Sequence, residues 1–248
     1  MALFADTEPP HLPFTIPDTI DHTFAWNPDL KVFFISLPEG GLVFSEAYFD
    51  RKISDRCVAY FQENDRFDGA ITDWRALSDV ALAKTEFTHI RWQQDWIKLY
   101  GKKMPLPRLT AWYGDAGKTY TYSGITSHPQ PWNDGLLYLK KAVERVAQTR
   151  FNSVLLNWYR DGDDHMGWHA DDEPELGQNP TIASVNFGAS RDFVLRRKDA
   201  PAQKIKIPLK HGSLLIMQGA LQHFWQHAVP KRKRVRQSRF NLTFRQIV

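Results

Sequence analysis

Hydrophobic residues recur at helical spacing in two parts of the chain, and each part predicts an α-helix. The longer helix opens at Asn133 or Asp134, either of which can cap the first turn, and ends near Arg150. Its apolar stripe consists of Leu136, Leu139, Val143, Val146 and Ala147. A second helix is expected from Ser54, as the capping residue, to Asn64, with one face formed by Cys57, Val58 and Phe61.

Short apolar runs separated by Gly, Pro and Asp dominate the rest of the pattern. An early strand is expected at Val32–Leu37, followed by a turn at Pro38–Gly41. Seven further strands are expected after the long helix: Ser153–Tyr159, Ile182–Phe187, Asp192–Arg196, Lys204–Leu209, Ser213–Met217, Phe224–Ala228 and Phe240–Gln246. Strands at this spacing are typical of a double-sheet barrel or jelly roll, so we expect a mainly β fold with flanking helices, an α+β class.

Two of these strands differ in their polar residues, which predicts their places in a sheet. Lys204–Leu209 begins with alternating Lys and Ile, so one face of this strand is expected to face solvent. The strand is therefore predicted to lie toward the edge of its sheet. Leu214–Met217 is apolar throughout, which favours a central strand covered on both faces. The aromatic-rich stretch 65–130 is expected to be partly strand and to pack on the barrel.

The composition of the 248 residues narrows the class of protein. The single cysteine, Cys57, excludes an internal disulfide and a cysteine-rich zinc module, so we expect a reducing compartment. No apolar run approaches the roughly 18 residues of a membrane helix, and residues 1–17 carry acids and prolines where a signal peptide would be basic and then apolar. We expect a soluble, cytoplasmic monomer, nuclear in a eukaryote, with no membrane partner.

The formal net charge of +4 is modest, but the charges are unevenly distributed. Six of the nine residues in 231–239 are Lys or Arg, whereas 161–175 is strongly acidic. The basic run suits an anionic partner such as nucleic acid, and the acidic stretch suits a metal cation. Two oppositely charged solvated loops would produce the same pattern, so charge alone does not decide between these interpretations.

Histidines are concentrated in the predicted barrel, which contains His165, His169, His211, His223 and His227. Asp171 follows His169 by two residues, so on an extended segment both side chains point to the same side. With one distant histidine, this pair would occupy one face of Fe(II) and leave three positions open. On its own, a His-x-Asp pair is more often a polar surface feature. Helical zinc sites at His165/His169 and His223/His227 are disfavoured, because glycines bracket the first pair and the second lies in a strand-like run.

The last predicted strand has an unusual polar face. Its alternate residues are Arg239, Asn241, Thr243 and Arg245, and the residues between them are apolar. Pointing two guanidinium groups into a barrel is unfavourable unless an anion meets them, and a dicarboxylate suits bidentate pairing with arginine. An edge strand with its polar face in water is the alternative. Combined with the His-x-Asp pair, this face indicates a 2-oxoglutarate-dependent iron oxygenase.

Several ordered motifs make this interpretation specific. They are Asn157–Gly162, His169–Glu173, Ile182–Gly188, Arg191–Phe193, His211–Leu215, Trp225–His227 and Arg239–Arg245, with Tyr113–Asp115 and Tyr120–Gly124 upstream. In this order they resemble the AlkB family of nucleic-acid demethylases, over roughly Pro107–Val248. The resemblance implies a double-stranded β-helix (jelly-roll) core at 107–248 and a nucleotide-recognition extension at 31–106. The Pro- and Asp-rich residues 1–30 predict a loosely ordered arm.

The resemblance also implies the residues that bind the cofactors. Fe(II) would be bound by His169, Asp171 and His227, with 2-oxoglutarate and O2 as co-substrates. The 2-oxoglutarate pocket would include Asn157, Tyr159, Arg239, Asn241, Thr243 and Arg245. Of these, Arg239 would pair with the distal carboxylate, and Thr243 and Arg245 would complete the pocket near the keto-acid end.

Four residues are expected beside the substrate base by the same resemblance: Tyr120, Tyr122, Asp172 and Glu173. The carboxylates of Asp172 and Glu173 can accept from an exocyclic amine and favour a cationic alkylated base. Simple solvation of these two residues is the alternative. Tyr122 is expected to stack on the flipped base, with His169 as the other wall.

Contacts with the rest of the nucleic acid are expected from three residues. Tyr100 would fill the gap that the flipped base leaves, and Lys102 and Arg108 would meet phosphates. Residues 199–203 form a short link where double-strand-repairing relatives have a longer basic loop. The short link leaves single-stranded DNA and RNA open, and we expect the substrate to be alkylated single- or double-stranded DNA, with RNA as the alternative.

The predicted function is oxidative demethylation of N-alkylated bases such as 1-methyladenine and 3-methylcytosine. Formaldehyde would be released while 2-oxoglutarate and O2 become succinate and CO2. Two other interpretations stay open. One is an oxygenase that acts on a protein or a small molecule, and the other is a non-catalytic nucleic-acid-binding module that retained the fold.

Overall fold

The computed structural model describes residues 10–99, 102–118, 120–122 and 125–248 of the chain. For residues 97–99, 102–103, 120–122 and 125–127 it describes the backbone alone. The α-helices are α1 (Arg51–Gln62), α2 (Asp79–Ala83), α3 (Asp134–Ala147) and α4 (Leu221–Phe224). The strands are β1 (Thr23–Asn27), β2 (Val32–Leu37), β3 (Gly40–Ser45), β4 (Trp96–Leu99), β5 (Lys102–Pro105), β6 (Leu109–Gly114), β7 (Tyr120–Tyr122), β8 (Ile125–Ser127), β9 (Ser153–Tyr159), β10 (Met166–His169), β11 (Ile182–Gly188), β12 (Arg191–Arg197), β13 (Lys204–Leu209), β14 (Ser213–Gln218), β15 (Trp225–Val229) and β16 (Arg239–Arg245).

Two antiparallel sheets face each other and form the body of the molecule. The larger sheet has the order β1-β2-β3-β14-β11-β16-β9-β6, and the smaller one has the order β10-β15-β12-β13. Apolar residues of both sheets, such as Phe44, Leu215, Leu195 and Ile207, fill the space between them. The predicted jelly roll is confirmed, as are the edge position of β13 and the central position of β14.

The helices cover the outer face of the larger sheet. Phe61 of α1 and the apolar stripe of α3 pack against the alternate residues Phe240, Leu242 and Phe244 of β16. Trp74 and Trp92 contact the buried Trp158 edge-on, with ring centroids 4.9 and 5.4 Å away. Because this layer buries the apolar face of β16, the polar face of that strand must point between the sheets.

The first helix begins earlier than its sequence predicts. Asp50 is the capping residue, and its carboxylate accepts from the backbone N–H of Ile53 at 2.8 Å. Ser54 lies inside the helix, where its Oγ donates to the carbonyl of Phe49. Both residues have capping side chains, but only Asp50 precedes the first turn, so the expected start at Ser54 is wrong. The long helix is capped by Asn133 as expected.

Part of the N-terminal segment has regular secondary structure. Within residues 1–30, the described part carries β1, which pairs with β2 at the end of the larger sheet, and Ile16 and Ile20 are buried. Residues that composition marks as a loosely ordered arm therefore complete the sheet, because their few apolar side chains find a place in its core. Among the described residues, no helix is both long and apolar enough to cross a bilayer.

Gly162 anchors the basic run 231–239 against the loop after β9. Its N–H donates to the carbonyl of Val235, and its own carbonyl accepts from the N–H of Arg232. A Cβ at this position would lie 1.8 Å from the carbonyl oxygen of Arg232. We expect Gly162→Ala to lower the free energy of unfolding by about 3 kcal/mol or more, since backbone has to move.

Gly167→Ala is the matched control for this prediction, because a Cβ there meets no atom within 4 Å. Urea unfolding of the two variants and the wild-type protein measures the difference. We expect Gly167→Ala to stay within about 0.5 kcal/mol of the wild-type value. Equal stability of the two variants would show that the close approach at Gly162 is absent.

Cys57 is a partly buried residue of α1 and packs against the core between the helices and the larger sheet. Burial raises the pKa of its thiol to about 12, because the thiolate would lose its hydration. We therefore expect the folded protein to react with a disulfide reagent at neutral pH at least about 100-fold more slowly than the protein in urea. Reaction at the same rate in both states would contradict this placement, and Cys57→Ser supplies the background rate.

Candidate metal and 2-oxoglutarate site

The polar face of the C-terminal strand lies in the middle of the larger sheet. β16 pairs with β9 on one side and with β11 on the other. In this register Arg239 lies opposite Tyr159, and Asn241 lies between Asn157 and Asn186. The edge-strand alternative is therefore excluded, and three adjacent strands present polar side chains to the space between the sheets.

A cavity opens between the sheets at this face. Its polar lining includes Arg108, Asn157, His169, Asp171, His227, Arg239, Asn241, Thr243 and Arg245. Its apolar lining includes Trp112, Met166, Leu176, Phe193 and Met217. The cavity thus combines a cationic floor, a carboxylate with two imidazoles, and walls that keep much of the remaining surface dry.

Arg239 is a buried cation whose hydrogen-bonding capacity is only partly used. Its Nη2 donates to Oδ1 of Asn186, while Nε and Nη1 have no hydrogen-bond partner among the described residues. The ring of Tyr159 lies 4.9 Å from its guanidinium carbon. Burial lowers the pKa of Arg239 to about 10, so the group is still charged at neutral pH. A buried cation with unused donors fits the carboxylate of an acid such as 2-oxoglutarate.

Amide and hydroxyl groups around Arg239 form a connected polar floor. Nδ2 of Asn241 donates to Oγ of Ser184 at 2.7 Å, and Oγ1 of Thr243 donates to Oδ1 of Asn241 at 3.2 Å. On β9, Oδ1 of Asn157 accepts from Nε of Arg108 at 2.7 Å. Because these side chains hold one another, their orientation is set before any ligand enters.

Two histidines and one aspartate converge beside this floor. The ligand atoms of His169, Asp171 and His227 all lie within 4.8 Å of one another. Each Nε2 is 3.9 Å from a carboxylate oxygen of Asp171, on opposite oxygens. One carboxylate oxygen and two imidazole nitrogens at this spacing can bind one face of a divalent metal, which is the arrangement typical of non-haem Fe(II) oxygenases.

Local contacts orient the two imidazole rings at this site. Nδ1 of His169 donates to the carbonyl of Gly167 at 2.9 Å, which leaves the lone pair of its Nε2 free. The ring of His227 stacks on Phe193, with centroids 4.9 Å apart. Burial lowers the pKa of His227 to about 3, and the neighbouring His169 acts in the same direction. At neutral pH, His227 can therefore bind a metal without first releasing a proton.

Asp171 is held as a carboxylate by its cationic neighbour. Burial acts to raise its pKa, but Arg245 and the two imidazoles outweigh burial and hold the pKa well below its usual range. Nη2 of Arg245 donates to Oδ1 of Asp171 at 2.9 Å, and the N–H of Asp171 donates to Oε1 of Gln222 at 3.0 Å. Arg245 therefore connects the metal ligands to the floor of the cavity.

The helical zinc pairs do not form. His223 is exposed at the end of α4, while His227 lies in β15 with its side chain turned inward. Nδ1 of His165 contacts the carbonyl of Asp163 at 3.0 Å. Among the described residues, one group of three or more potential metal ligands occurs, and it is His169, Asp171 and His227.

Asp172 and Glu173 follow the metal-ligand pair but differ in environment. The carboxylate of Asp172 is exposed and pairs with Nζ of Lys198 at 3.1 Å. Oε2 of Glu173 is buried and has no hydrogen-bond partner among the described residues. Of the two, Glu173 has an acceptor oxygen without a partner among the described residues, and neither residue is among those that line the cavity.

Of the other residues expected to contact nucleic acid, the structure describes the side chain of Arg108 alone. Tyr100 lies outside the described residues, as do the side chains of Lys102, Tyr120 and Tyr122. Arg108 is 4% exposed and lines the cavity, where it holds Asn157. A contact of Arg108 with an external phosphate is therefore not supported, because its side chain is buried against Asn157.

Sequence reasoning missed several residues of this site. They are Ser184, Asn186, Arg108 as a cavity residue, Phe193 and Gln222. Ser184 and Asn186 are alternate polar residues in a strand that is otherwise apolar, which is the signal that would have found them. The others depend on contacts across the fold that no local pattern marks.

Comparison with known proteins agrees with this site. Residues 74–245 match the model of the 2OG-Fe(II) oxygenase superfamily. The unpartnered donors of Arg239 and the grouped ligand atoms fit the cofactors of that superfamily, Fe(II) and 2-oxoglutarate with O2. The fold and the site thus define a non-haem iron oxygenase.

The relatives narrow this class. The mouse "DNA oxidative demethylase ALKBH2" is 41% identical over 197 residues, which are 74% of this chain and 82% of the relative. The human ALKBH2 is 47% identical over 159 residues, 61% of each chain. The mouse "Alpha-ketoglutarate-dependent dioxygenase alkB homolog 3" is 51% identical over 152 residues, 58% of this chain and 52% of the relative. The chain belongs to the AlkB family of 2-oxoglutarate and Fe(II)-dependent oxygenases.

The match spans about half the length of the alkB homolog 3 relatives. The solved structure titled "The structure of OsALKBH1" covers 84% of this chain and 97% of its own, with a TM-score of 0.51 and 16% identity. At that identity the structure supports the fold alone.

Proposed function

We propose that this protein is a 2-oxoglutarate- and Fe(II)-dependent dioxygenase that repairs DNA by oxidative demethylation of N-alkylated bases, such as 1-methyladenine and 3-methylcytosine. The observation that carries this proposal is that the grouped ligand atoms of His169, Asp171 and His227 share one cavity with the buried, partly unsatisfied Arg239. Relatives named as DNA oxidative demethylases, at 41% and 47% identity, support the substrate class.

His169, Asp171 and His227 would hold the iron, and the floor of the cavity would hold 2-oxoglutarate. Arg239 would pair with one carboxylate of 2-oxoglutarate, and Asn157, Tyr159 and Thr243 would add hydrogen bonds. The cofactors supply the oxidation of the N-methyl carbon, which then leaves as formaldehyde while 2-oxoglutarate and O2 become succinate and CO2.

The protein contributes position, charge and exclusion of water. Arg245 keeps Asp171 ionised, and the N–H of Asp171 is fixed by Gln222. Phe193 and Met166 line the cavity with apolar side chains. A methyl group bound there would lie between apolar walls and fixed polar side chains, which favours its oxidation over unproductive turnover.

Recognition of the alkylated base is assigned to the residues beside this site. A cationic base such as 1-methyladenine would be favoured by Glu173, whose buried Oε2 can accept from an exocyclic amine. Asp172 would have to exchange its ion pair with Lys198 for the base. Tyr120 and Tyr122 would provide the aromatic wall, and Tyr122 would stack on the base.

Turnover of 2-oxoglutarate tests the substrate class. We expect succinate release by the full chain with Fe(II) to rise at least about tenfold when an oligonucleotide carries 1-methyladenine or 3-methylcytosine. The reason is that a methyl group bound in the site couples the turnover of 2-oxoglutarate to its own oxidation. The unmethylated oligonucleotide is the matched control. Comparison of succinate release with single- and double-stranded DNA and RNA versions of the oligonucleotide shows which polymer is preferred. An absence of stimulation by all of them would contradict the proposal.

A further inference from the structure

The outer face of the smaller sheet exposes a tryptophan beside two cations. Trp168 is 36% exposed, although it directly precedes His169 in β10. The guanidinium carbon of Arg196 lies 4.1 Å from the ring centroid, and Nζ of Lys204 lies 5.9 Å from it. Trp168, Arg196 and Lys204 together form what we term the Trp168 surface.

Neighbouring strands hold this surface in place. Arg196 and Gln226 are partners in the β12–β15 pairing, and Oε1 of Gln226 accepts from Nε and Nη2 of Arg196 at 3.1 and 2.8 Å. The guanidinium is thereby fixed against the ring. Gln226 and Trp168 each precede a residue of the metal site, so the Trp168 surface lies directly behind His169 and His227.

The charges of the Trp168 surface are uncompensated, unlike those around it. Several cations in or near this sheet pair with carboxylates: Arg197 with Glu39 and Asp199, Lys198 with Asp172, and Lys206 and Arg232 with Asp192. Within the described residues, Arg196 and Lys204 have no carboxylate within 4.0 Å. The sheet therefore leaves free positive charge where it also leaves an aromatic ring exposed.

This combination selects an anionic partner that has flat apolar groups. Phosphates would meet Arg196 and Lys204, and a base would stack on the open part of the Trp168 ring. A duplex keeps its bases stacked on one another and offers no face to the ring, whereas a single strand does. β10 is an edge strand of the smaller sheet, and the His169 side chain next to Trp168 is partly exposed, so a nucleic-acid chain that leaves the cavity can pass round this edge to the Trp168 surface.

We propose that the Trp168 surface binds the single-stranded nucleotides that flank the base held in the cavity. The proposal rests on the proposed function, because a nucleic-acid substrate is what continues outside the cavity. It adds a second contact region on the reverse side of the strands that carry the metal ligands. Affinity for a long single strand would then exceed that for a short one.

Fluorescence anisotropy of the full chain with a labelled, unmethylated single strand of about 12 nucleotides tests this directly. We expect Trp168→Ala to weaken binding about tenfold, because one base loses its stacking partner, and Trp168→Phe to retain most of the affinity. The double variant Arg196→Gln/Lys204→Gln should reduce the slope of log affinity against log salt by about 1.4, the value for two phosphates on a single strand.

Lys206→Gln is the matched control, since Lys206 lies on the same face but is paired with Asp192. We expect it to bind like the wild-type protein. A Trp168→Ala protein that binds as tightly as wild type, or a wild-type protein that prefers duplex to single strand, would overturn the proposal.

Demethylation of a single methylated nucleotide, 1-methyladenosine monophosphate, separates this proposal from the proposed function. This substrate has no flanking nucleotides, so Trp168→Ala should process it at the wild-type rate. A rate reduced as strongly as the affinity for the long strand would overturn the proposal, because Trp168 would then act through the metal site. Wild-type protein that demethylates no oligonucleotide would contradict the proposed function, while the anisotropy result would still decide the Trp168 surface.

Discussion

Replacing Asp171 with Asn is expected to abolish demethylation and to weaken divalent metal binding by at least about 100-fold. The carboxylate is the one anionic group among the three candidate ligands, and an amide offers a neutral oxygen that holds a hard cation poorly. Calorimetric titration of Mn(II) into the apoprotein in the absence of oxygen measures the metal affinity separately from activity.

The substitution also removes the charged partner of Arg245 inside the protein. Taking one partner from a buried ion pair costs about 3–5 kcal/mol, so Asp171→Asn should unfold at lower urea than wild type. Asp171→Glu keeps the charge while moving the oxygen atoms, so it should recover stability but not activity. Asp163→Asn, a nearby carboxylate outside the site, is the control and should bind Mn(II) normally. Wild-type metal affinity in Asp171→Asn would show that Asp171 is not a ligand.

The second large effect is expected from Arg239→Gln, which should weaken 2-oxoglutarate binding at least about 30-fold. Truncating one partner of a buried charge pair costs about 2–5 kcal/mol in binding. Stability of the apoprotein should change by less than about 1 kcal/mol, since two donors of Arg239 have no hydrogen-bond partner among the described residues when the pocket holds no ligand. Loss of affinity without loss of stability distinguishes a ligand-binding arginine from a structural one.

Calorimetric titration of 2-oxoglutarate into the Mn(II)-loaded protein checks this prediction. Arg236→Gln is the control, because Arg236 belongs to the same basic run but is exposed. It should bind 2-oxoglutarate like the wild-type protein. Arg239→Lys should lie between the two, since it keeps the charge and loses the bidentate fork. Unchanged 2-oxoglutarate affinity in Arg239→Gln would place the acid elsewhere in the cavity.

Local patterns predict the parts of this site that lie within one strand. The alternation along Arg239–Arg245 correctly indicated a polar face opposite an apolar one, because a strand turns successive side chains to opposite sides. The two-residue spacing of His169 and Asp171 likewise indicated a shared side. The choice of His227 over other histidines required the family motifs, since spacing alone left the distant histidine open.

Contacts between distant strands were not predictable. Arg245 pairs with Asp171, 74 positions earlier, because the register of β16 and the turn after β10 bring them together. Arg108 resembles a surface arginine in sequence, yet it is buried against Asn157. Neither position carries a local signal, and both follow only from the way in which the sheets face each other.

The proposed demethylation can be measured by mass spectrometry of a single-stranded oligonucleotide with one 1-methyladenine, after incubation with the full chain, Fe(II), 2-oxoglutarate and air. We expect loss of the methyl group, with formaldehyde and succinate formed in equal amounts, and no loss with Asp171→Asn. Succinate formation that leaves the methyl group in place, or methyl loss that persists undiminished in Asp171→Asn, would contradict the proposed function.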